Sequence, residues 1–198
     1  MNPLSRSDLM SLEEYSQQRG DFRQKVMMHK KPRQIPLGDH LTLYFEDRLT
    51  IQYQIQEMLR IEKIFEADGI EEELSAYNPL IPDGDNWKAT MMIEYTEVEE
   101  RKQALAMLIG IEDRVWVKVG DNDPVYAIAD EDLERDTEDK TSSVHFMRFQ
   151  LTPEMIGEAC HGAAISMGVD HQNYSENLTL DDASRQTLVD DLDCSSSD

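Results

Sequence analysis

The order of strand-like and helix-like segments limits the fold of this chain more than any other feature of the sequence. Residues 40–46 alternate apolar and polar side chains, which is the two-residue period of a half-buried strand. Residues 48–67 then place their apolar side chains at the spacing of an amphipathic helix. Segments of the two kinds follow each other irregularly along the chain, unlike the regular strand–helix alternation of a doubly wound parallel sheet. The sequence therefore predicts an α+β fold.

The same periodicities, with turn and capping residues, predict the remaining elements. Further strands are expected at residues 88–95, 115–119, 125–129, 143–151 and 163–169. Further helices are expected at residues 11–29, 97–109 and 153–160, and weaker helical patterns occur at residues 71–77 and 180–192. These segments predict a single domain with one mixed or mainly antiparallel sheet of five or six strands and four or five helices.

Two segments are predicted to lie outside the packed structure. Residues 130–140 are strongly acidic and offer little to bury, so they are expected to form a mobile surface loop. The chain turns polar near its C-terminus, which predicts a domain over residues 1–175 and an acidic, partly disordered extension over residues 176–198.

Charge and cysteine content restrict the partners and the compartment. The formal net charge is −22, from 41 acidic and 19 basic residues, and such a surface repels nucleic acids and anionic lipids. No segment reaches the roughly 20 apolar residues of a membrane span. Cys160 and Cys194 lie far apart in the sequence and are expected to be ordinary thiols. These features predict a soluble cytoplasmic protein without nucleic-acid or membrane partners.

Glu62 is the residue that most clearly invites a functional explanation. In helical projection it falls inside the apolar stripe formed by Ile51, Ile55 and Leu59. A buried carboxylate there has to be neutral, paired or bound to a ligand. Glu66 lies four residues further on and faces the same way, so the two carboxylates could ligate a metal ion. The alternatives are a buried salt bridge to Glu62, or a position of Glu62 at the edge of an apolar stripe that is narrower than this projection draws it.

Two histidines supply the other half of a predicted metal site. His145 shares a strand face with Met147 and Phe149, and His171 continues the inward register of the last predicted strand. If the two strands are neighbours, the imidazoles could approach each other, with Asp170 and Tyr174 as orienting groups. The hypothesis is a divalent metal site of Glu62, Glu66, His145 and His171. Satisfied core histidines are the alternative.

A basic segment supports a second hypothesis from a different class. The residues proposed to bind an anion or an acidic partner are Arg23, Lys30, Lys31 and Arg33. A solvated face, or an internal match to the protein's own acidic patches, would explain the same cluster. The chain contains no GxGxxG, GxxxxGK[ST], GxSxG, HExxH or CxxC motif, so neither an enzyme class nor a cofactor is assigned.

Several long strings of residues resemble an uncharacterised bacterial family, domain of unknown function 3501. The strings are residues 40–48, 52–66, 73–82, 143–149 and 168–174. The resemblance extends over about residues 8–175 and implies no established activity. In the family that the sequence resembles, the genes tend to lie beside those of rubrerythrin-like and iron–sulfur proteins. The resemblance therefore implies a link to iron or oxidative stress, iron as the candidate metal, and such a protein as the candidate partner.

Overall fold

The computed structural model describes residues 2–133, 135–137 and 139–196. Its helices are α1 (Leu12–Lys30), α2 (Arg48–Glu62), α3 (Ala67–Tyr77), α4 (Val98–Met107), α5 (Pro153–Cys160) and α6 (Asp182–Val189). Its strands are β1 (Gln34–Leu37), β2 (Leu41–Phe45), β3 (Asn86–Ile93), β4 (Val115–Val119), β5 (Val125–Tyr126), β6 (Ile128–Ala129), β7 (Val144–Gln150), β8 (Ile165–His171) and β9 (Tyr174–Thr179). Within the described residues, no helix is both long and apolar enough to cross a membrane.

The strands form two antiparallel sheets, so the α+β prediction is confirmed but the expected single sheet is wrong. One sheet has the order β1-β2-β3-β7-β6 and the other the order β5-β4-β8-β9. The division occurs within residues 125–129, which the sequence predicts to be one strand. Val125–Tyr126 does pair with β4, whereas Ile128–Ala129 pairs with β7 in the other sheet. Ala127, buried between these two short strands, therefore links the sheets.

Apolar side chains from both sheets form one continuous core. The alternation predicted for residues 143–151 is confirmed, because His145, Met147 and Phe149 are buried on one face of β7. In the second sheet, Trp116 lies over Gly168, its cross-strand partner. A Cβ atom at Gly168 would lie 2.5 Å from Trp116 Cζ2, so the ring occupies the space that any other side chain would need.

Helix α2 is shorter than predicted, and this removes Glu62 from the core. Its buried side chains include Ile51, Ile55 and Leu59, which pack in a second, smaller apolar cluster. The helix ends at Glu62, and Lys63 adopts a left-handed conformation with φ 58°. The backbone N–H groups of Lys63 and Ile64 both donate to the Leu59 carbonyl, which closes the helix. Glu62 is consequently exposed.

The chain beyond residue 175 belongs to the folded structure, so the predicted domain boundary is misplaced. Strand β9 pairs with β8, and the Asp181 side chain caps the start of α6. Leu188 and Leu192 are buried in the main core. Trp87 Nε1–H donates to the Leu188 carbonyl at 2.8 Å. Although its sequence is mostly polar, α6 has one apolar face that packs on the core. Residues 197–198 lie outside the described part.

Cys160 and Cys194 form a disulfide, which corrects the expectation of ordinary thiols. Cys160 is the last residue of α5, and the chain after α6 returns to that position. The 34-residue separation gave no sign of this proximity, because pairing depends on the path of the intervening hairpin and helix.

Candidate metal centre

The four residues of the predicted metal site are not brought together. Glu62 is exposed at the end of α2, and Glu66 is exposed at the residue preceding α3. His145 and His171 are both buried, as predicted, but β7 and β8 belong to different sheets. In the described part of the chain, the metal-competent cluster that contains His145 includes none of the other three.

His171 and its two predicted orienting groups make structural contacts. His171 Nε2 lies 3.2 Å from the Ile109 carbonyl, and its Nδ1 accepts the Asn173 backbone N–H at 3.2 Å. Tyr174 donates to the Leu37 carbonyl at 2.5 Å. Asp170 accepts the Tyr126 hydroxyl at 2.9 Å and pairs with an arginine. Backbone groups thus occupy both imidazole nitrogens of His171.

Arg33 does not belong to an open anion-binding surface. Its side chain is only 2% exposed, and it donates to the carbonyls of Phe45, Glu46 and Thr187 at 3.0–3.1 Å. It also pairs with the carboxylates of Asp47 and Asp191. Buried in this way, the guanidinium matches the protein's own acidic groups, which is the structural alternative stated for the basic segment.

The other three residues of that segment lie closer to solvent. Arg23 and Lys31 are exposed, and Lys30 is half-buried. An anion or an acidic partner can reach these side chains, so the docking hypothesis continues as a prediction for Arg23, Lys30 and Lys31 without Arg33.

His145 is held in a fixed orientation by Asp130. Its Nδ1 lies 2.6 Å from Asp130 Oδ2. The other oxygen of Asp130 accepts the Phe146 backbone N–H at 3.0 Å and the Arg135 guanidinium at 2.9 Å. Asp130 has φ 51°, a region that few residues other than glycine adopt, and strain of this kind often accompanies functional residues. Because Asp130 engages Nδ1, it directs Nε2 away from itself.

The Nε2 side of His145 faces oxygen atoms of the loop before β7. Nε2 lies 2.8 Å from Thr141 Oγ1, 3.1 Å from the Ser142 carbonyl and 3.8 Å from Asp136 Oδ1. Thr141 donates its hydroxyl to Asp136 Oδ1 at 2.6 Å. The Gly110 N–H donates to the other oxygen of Asp136 at 3.2 Å. The segment expected to be a mobile loop therefore holds two carboxylates at fixed positions beside a buried imidazole.

Glu112 completes the cluster from the 3₁₀ turn Ile111–Arg114. Its Oε2 is buried and has no hydrogen-bond partner among the described residues. Burial, together with the nearby negative charge of Asp136, raises the pKa of Glu112 to about 7. One ligand atom each from Glu112, Asp136 and His145 lies within 4.8 Å of the others. We call these three residues, with Asp130, the histidine cluster.

The histidine cluster offers one imidazole nitrogen and two carboxylates to a cation. Ligands around a small divalent ion are bound at about 2.0–2.2 Å, so donors within 4.8 Å of one another need only a modest contraction to share one. The contact between Asp130 and His145 Nδ1 is the outer-shell arrangement that usually orients a metal-binding histidine. The arrangement can bind a divalent metal ion, or it can share protons among its members.

The sequence identified His145 but gave little sign of Glu112 and Asp136. Both stand on irregular segments, one in a single 3₁₀ turn and one in the acidic segment before β7. Neither segment has a helical or strand periodicity from which the direction of its side chains could be predicted. The signal available was the position of the acidic run directly before a strand with an inward-facing histidine.

Comparison with known proteins establishes the family. Residues 3–192 match the family model described as protein of unknown function (DUF3501), so the chain belongs to that family. A crystal structure at 1.90 Å of a novel protein of unknown function from Burkholderia pseudomallei K96243 is 52% identical. It matches with a TM-score of 0.92 over 97% of this chain and 100% of that chain. No protein of curated function matches.

Proposed function

We propose that this DUF3501 protein binds a divalent transition-metal ion through Glu112, Asp136 and His145 Nε2. The buried Oε2 of Glu112 is the observation that carries the proposal, because it has no donor and lies beside a second carboxylate. A buried carboxylate without a partner is costly, and a cation shared by the cluster removes that cost.

The competing explanation is that the cluster binds no metal ion and is held together by protons shared among its side chains. In it, Glu112 is protonated, and His145 donates from both nitrogens to the oxygens around it. Such a cluster would serve only to connect the 3₁₀ turn, the acidic segment and β7. The two explanations differ in one measurable property, which is the binding of a metal ion.

The donor set limits the identity of the ion. Imidazole and carboxylate ligands suit Fe²⁺, Zn²⁺ and Mn²⁺, whereas Cu⁺ prefers thiolates, and the cluster contains no cysteine. Iron is our first candidate, supported by the link between the family resemblance and iron or oxidative stress. The protein would then act in the cytoplasm as an accessory protein, with a rubrerythrin-like or iron–sulfur protein as its partner.

Metal analysis tests the proposal directly. Protein purified without a histidine tag is stripped with a chelator and equilibrated anaerobically with Fe²⁺, Zn²⁺ or Mn²⁺ separately. We expect about one ion per chain for at least one metal, and a loss of affinity of roughly 100-fold in Glu112→Gln. Glutamine imitates the protonated carboxyl, so this variant should keep its fold.

Asp113→Asn is the matched control, because Asp113 is the exposed neighbour of Glu112 and lies outside the cluster. It should bind the ion as the unmodified protein does. Less than about 0.1 ion per chain with all three metals would reject the metal site in favour of a cluster held together by shared protons.

A further inference from the structure

The C-terminal segment, residues 181–196, is held on the core by two kinds of attachment. The first is non-covalent: Leu188 and Leu192 are buried, the Trp87 indole donates to the Leu188 carbonyl, and Arg33 donates to the Thr187 carbonyl at 3.0 Å. The second is the disulfide between Cys160 and Cys194. Breaking the disulfide leaves these non-covalent contacts as the remaining attachment of the segment.

The disulfide lies where a reagent can reach it. Cys194 is exposed near the end of the described chain, and Cys160 is half-buried at the end of α5. Thiol–disulfide exchange requires a thiolate to approach one sulfur along the sulfur–sulfur bond, and exposure is the first condition for that approach. Exposed disulfides are the ones that usually serve as labile or regulatory bonds.

We propose that the Cys160–Cys194 bond is a reversible redox switch that reacts with a dithiol and controls how firmly the C-terminal segment is docked. A thiolate of the dithiol attacks the Cys194 sulfur, and Cys160 leaves as a thiolate that takes up a proton. The second thiol of the reagent then attacks the mixed disulfide and releases Cys194. The protein gains two electrons and two protons, and the dithiol becomes a cyclic disulfide.

The charge around the bond favours a neutral dithiol over an anionic monothiol. Asp190 and Asp193 are exposed beside Cys194 in the sequence, and the whole chain carries a net charge of −22. An anionic thiol such as glutathione is repelled by this surface, which slows the first attack. A dithiol also resolves the mixed disulfide within one complex, so it does not need a second encounter.

Reduction should loosen the segment locally without unfolding the domain. While the bond is intact, a detached segment stays tethered to α5 and returns rapidly to its place. Once the bond is reduced, the tether is lost, and only the contacts of Leu188, Thr187 and Leu192 oppose detachment. Detachment exposes Arg33 and Trp87, which the segment covers in the docked state.

Native-state hydrogen exchange tests the switch. Metal-free full-length protein is compared before and after treatment with 1,4-dithiothreitol, which serves as the probe dithiol. We expect reduction within about an hour without denaturant, and a fall of roughly tenfold or more in the protection of amides in α6. The protection of amides in β3 and β7 should stay unchanged. Glutathione at the same thiol concentration should reduce the bond more slowly.

Cys194→Ser is the control for the reagent itself. It should show the loosened α6 from the outset and no further change with dithiothreitol. Three outcomes would overturn the proposal. These are a bond that resists dithiothreitol until the protein is unfolded, equal loss of protection in α6 and β3, and unchanged protection of α6 after reduction.

Discussion

Two buried groups of charged side chains in this protein differ in where their positive charge comes from. The arginine cluster consists of Arg33, Asp47, Asp191 and His29. There, Arg33 contacts both carboxylates, and His29 also contacts Asp47. In the histidine cluster, by contrast, Asp130 is the member that Arg135 contacts, and one oxygen of Glu112 has no described partner.

The pKa of Asp47 follows this difference, whereas burial raises the pKa of Asp191 to about 7 although Arg33 contacts that carboxylate. Burial alone would raise the pKa of Asp47, but the Arg33 charge, the Thr50 N–H and His29 together lower it below its ordinary value. Burial raises the pKa of Glu112 to about 7, and the neighbouring carboxylate of Asp136 adds to the effect. In the arginine cluster, the chain itself supplies a cation that contacts both carboxylates. In the histidine cluster, Glu112 and Asp136 have no arginine or lysine partner among the described residues, so a proton or the proposed metal ion would supply the missing charge.

The largest expected effect comes from removing the cation of the arginine cluster. Arg33→Met should lower the free energy of unfolding by about 3–5 kcal/mol, because two buried carboxylates then lose their common partner. Urea denaturation measures the loss. Arg23→Met, at an exposed position of α1, should change stability by less than about 0.5 kcal/mol. A loss below about 1 kcal/mol for Arg33→Met would contradict the structural role of this cluster.

The second prediction separates the two buried histidines. A metal ion at about 100 times its dissociation constant should raise the free energy of unfolding by about 2.7 kcal/mol, and His145→Gln should abolish this gain. His171→Gln should retain it, because His171 lies outside the group of side chains that could share an ion. The gain is measured as a metal-dependent shift in the denaturation midpoint. If both variants lost the metal-dependent increase in stability, His171 would also have to be a metal ligand.

The third prediction concerns the residue that orients His145. Asp130→Asn should weaken metal binding by about 10–100-fold, since outer-shell partners of a metal-binding histidine contribute effects of that size. Titration calorimetry gives the affinity. Asp132→Asn is the control, because Asp132 is exposed and contacts Arg135 but not His145. Equal affinities in Asp130→Asn and the unmodified protein would show that Asp130 does not support the site.

The smallest expected effect per measured step, about tenfold for each pH unit, is on the pH dependence of metal binding. Because the folded pKa of Glu112 is raised, its contribution to apoprotein stability is fully present below about 4.5 and is lost as the pH rises through about 7. Metal binding requires the ionised form, so affinity should fall about tenfold per pH unit below 7 and level off above it. Affinity measured from pH 5 to 8 tests this. Metal binding should release the proton of Glu112, and Glu112→Gln should abolish this release. An unchanged proton release in that variant would show that the proton comes from another group.

Much of the fold was predictable because its local signals agree with the tertiary structure. Ser11 with Glu14 begins α1 as a capping box, and Thr152 followed by Pro153 begins α5. The inward direction of His145 followed from strand alternation alone. These features depend on residues that are neighbours in the sequence, so a pattern in the sequence is sufficient to reveal them.

The errors concern features that depend on distant residues. Projection placed Glu62 in a buried stripe, but the left-handed backbone at Lys63 ends the helix, and no glycine marks that position. Glu112 and Asp136 approach His145 from irregular segments whose course is set by the junction of the two sheets. The tertiary arrangement therefore decided the candidate site, whereas local pattern decided most of the helices and strands.

The long sequence separation of the contacts made by α6 affects how the protein is synthesised. Trp87 and Leu188 are 101 residues apart, and Arg33 and Thr187 are 154 apart. At about 5–20 residues per second, translation adds Thr187 roughly 8–30 seconds after Arg33, and the guanidinium lacks this partner during that time. The nascent chain cannot complete this part of its core until α6 emerges. A ribosome that stops before that helix releases a polypeptide with an uncovered Trp87 indole, in which Asp47 is the carboxylate that still pairs with Arg33.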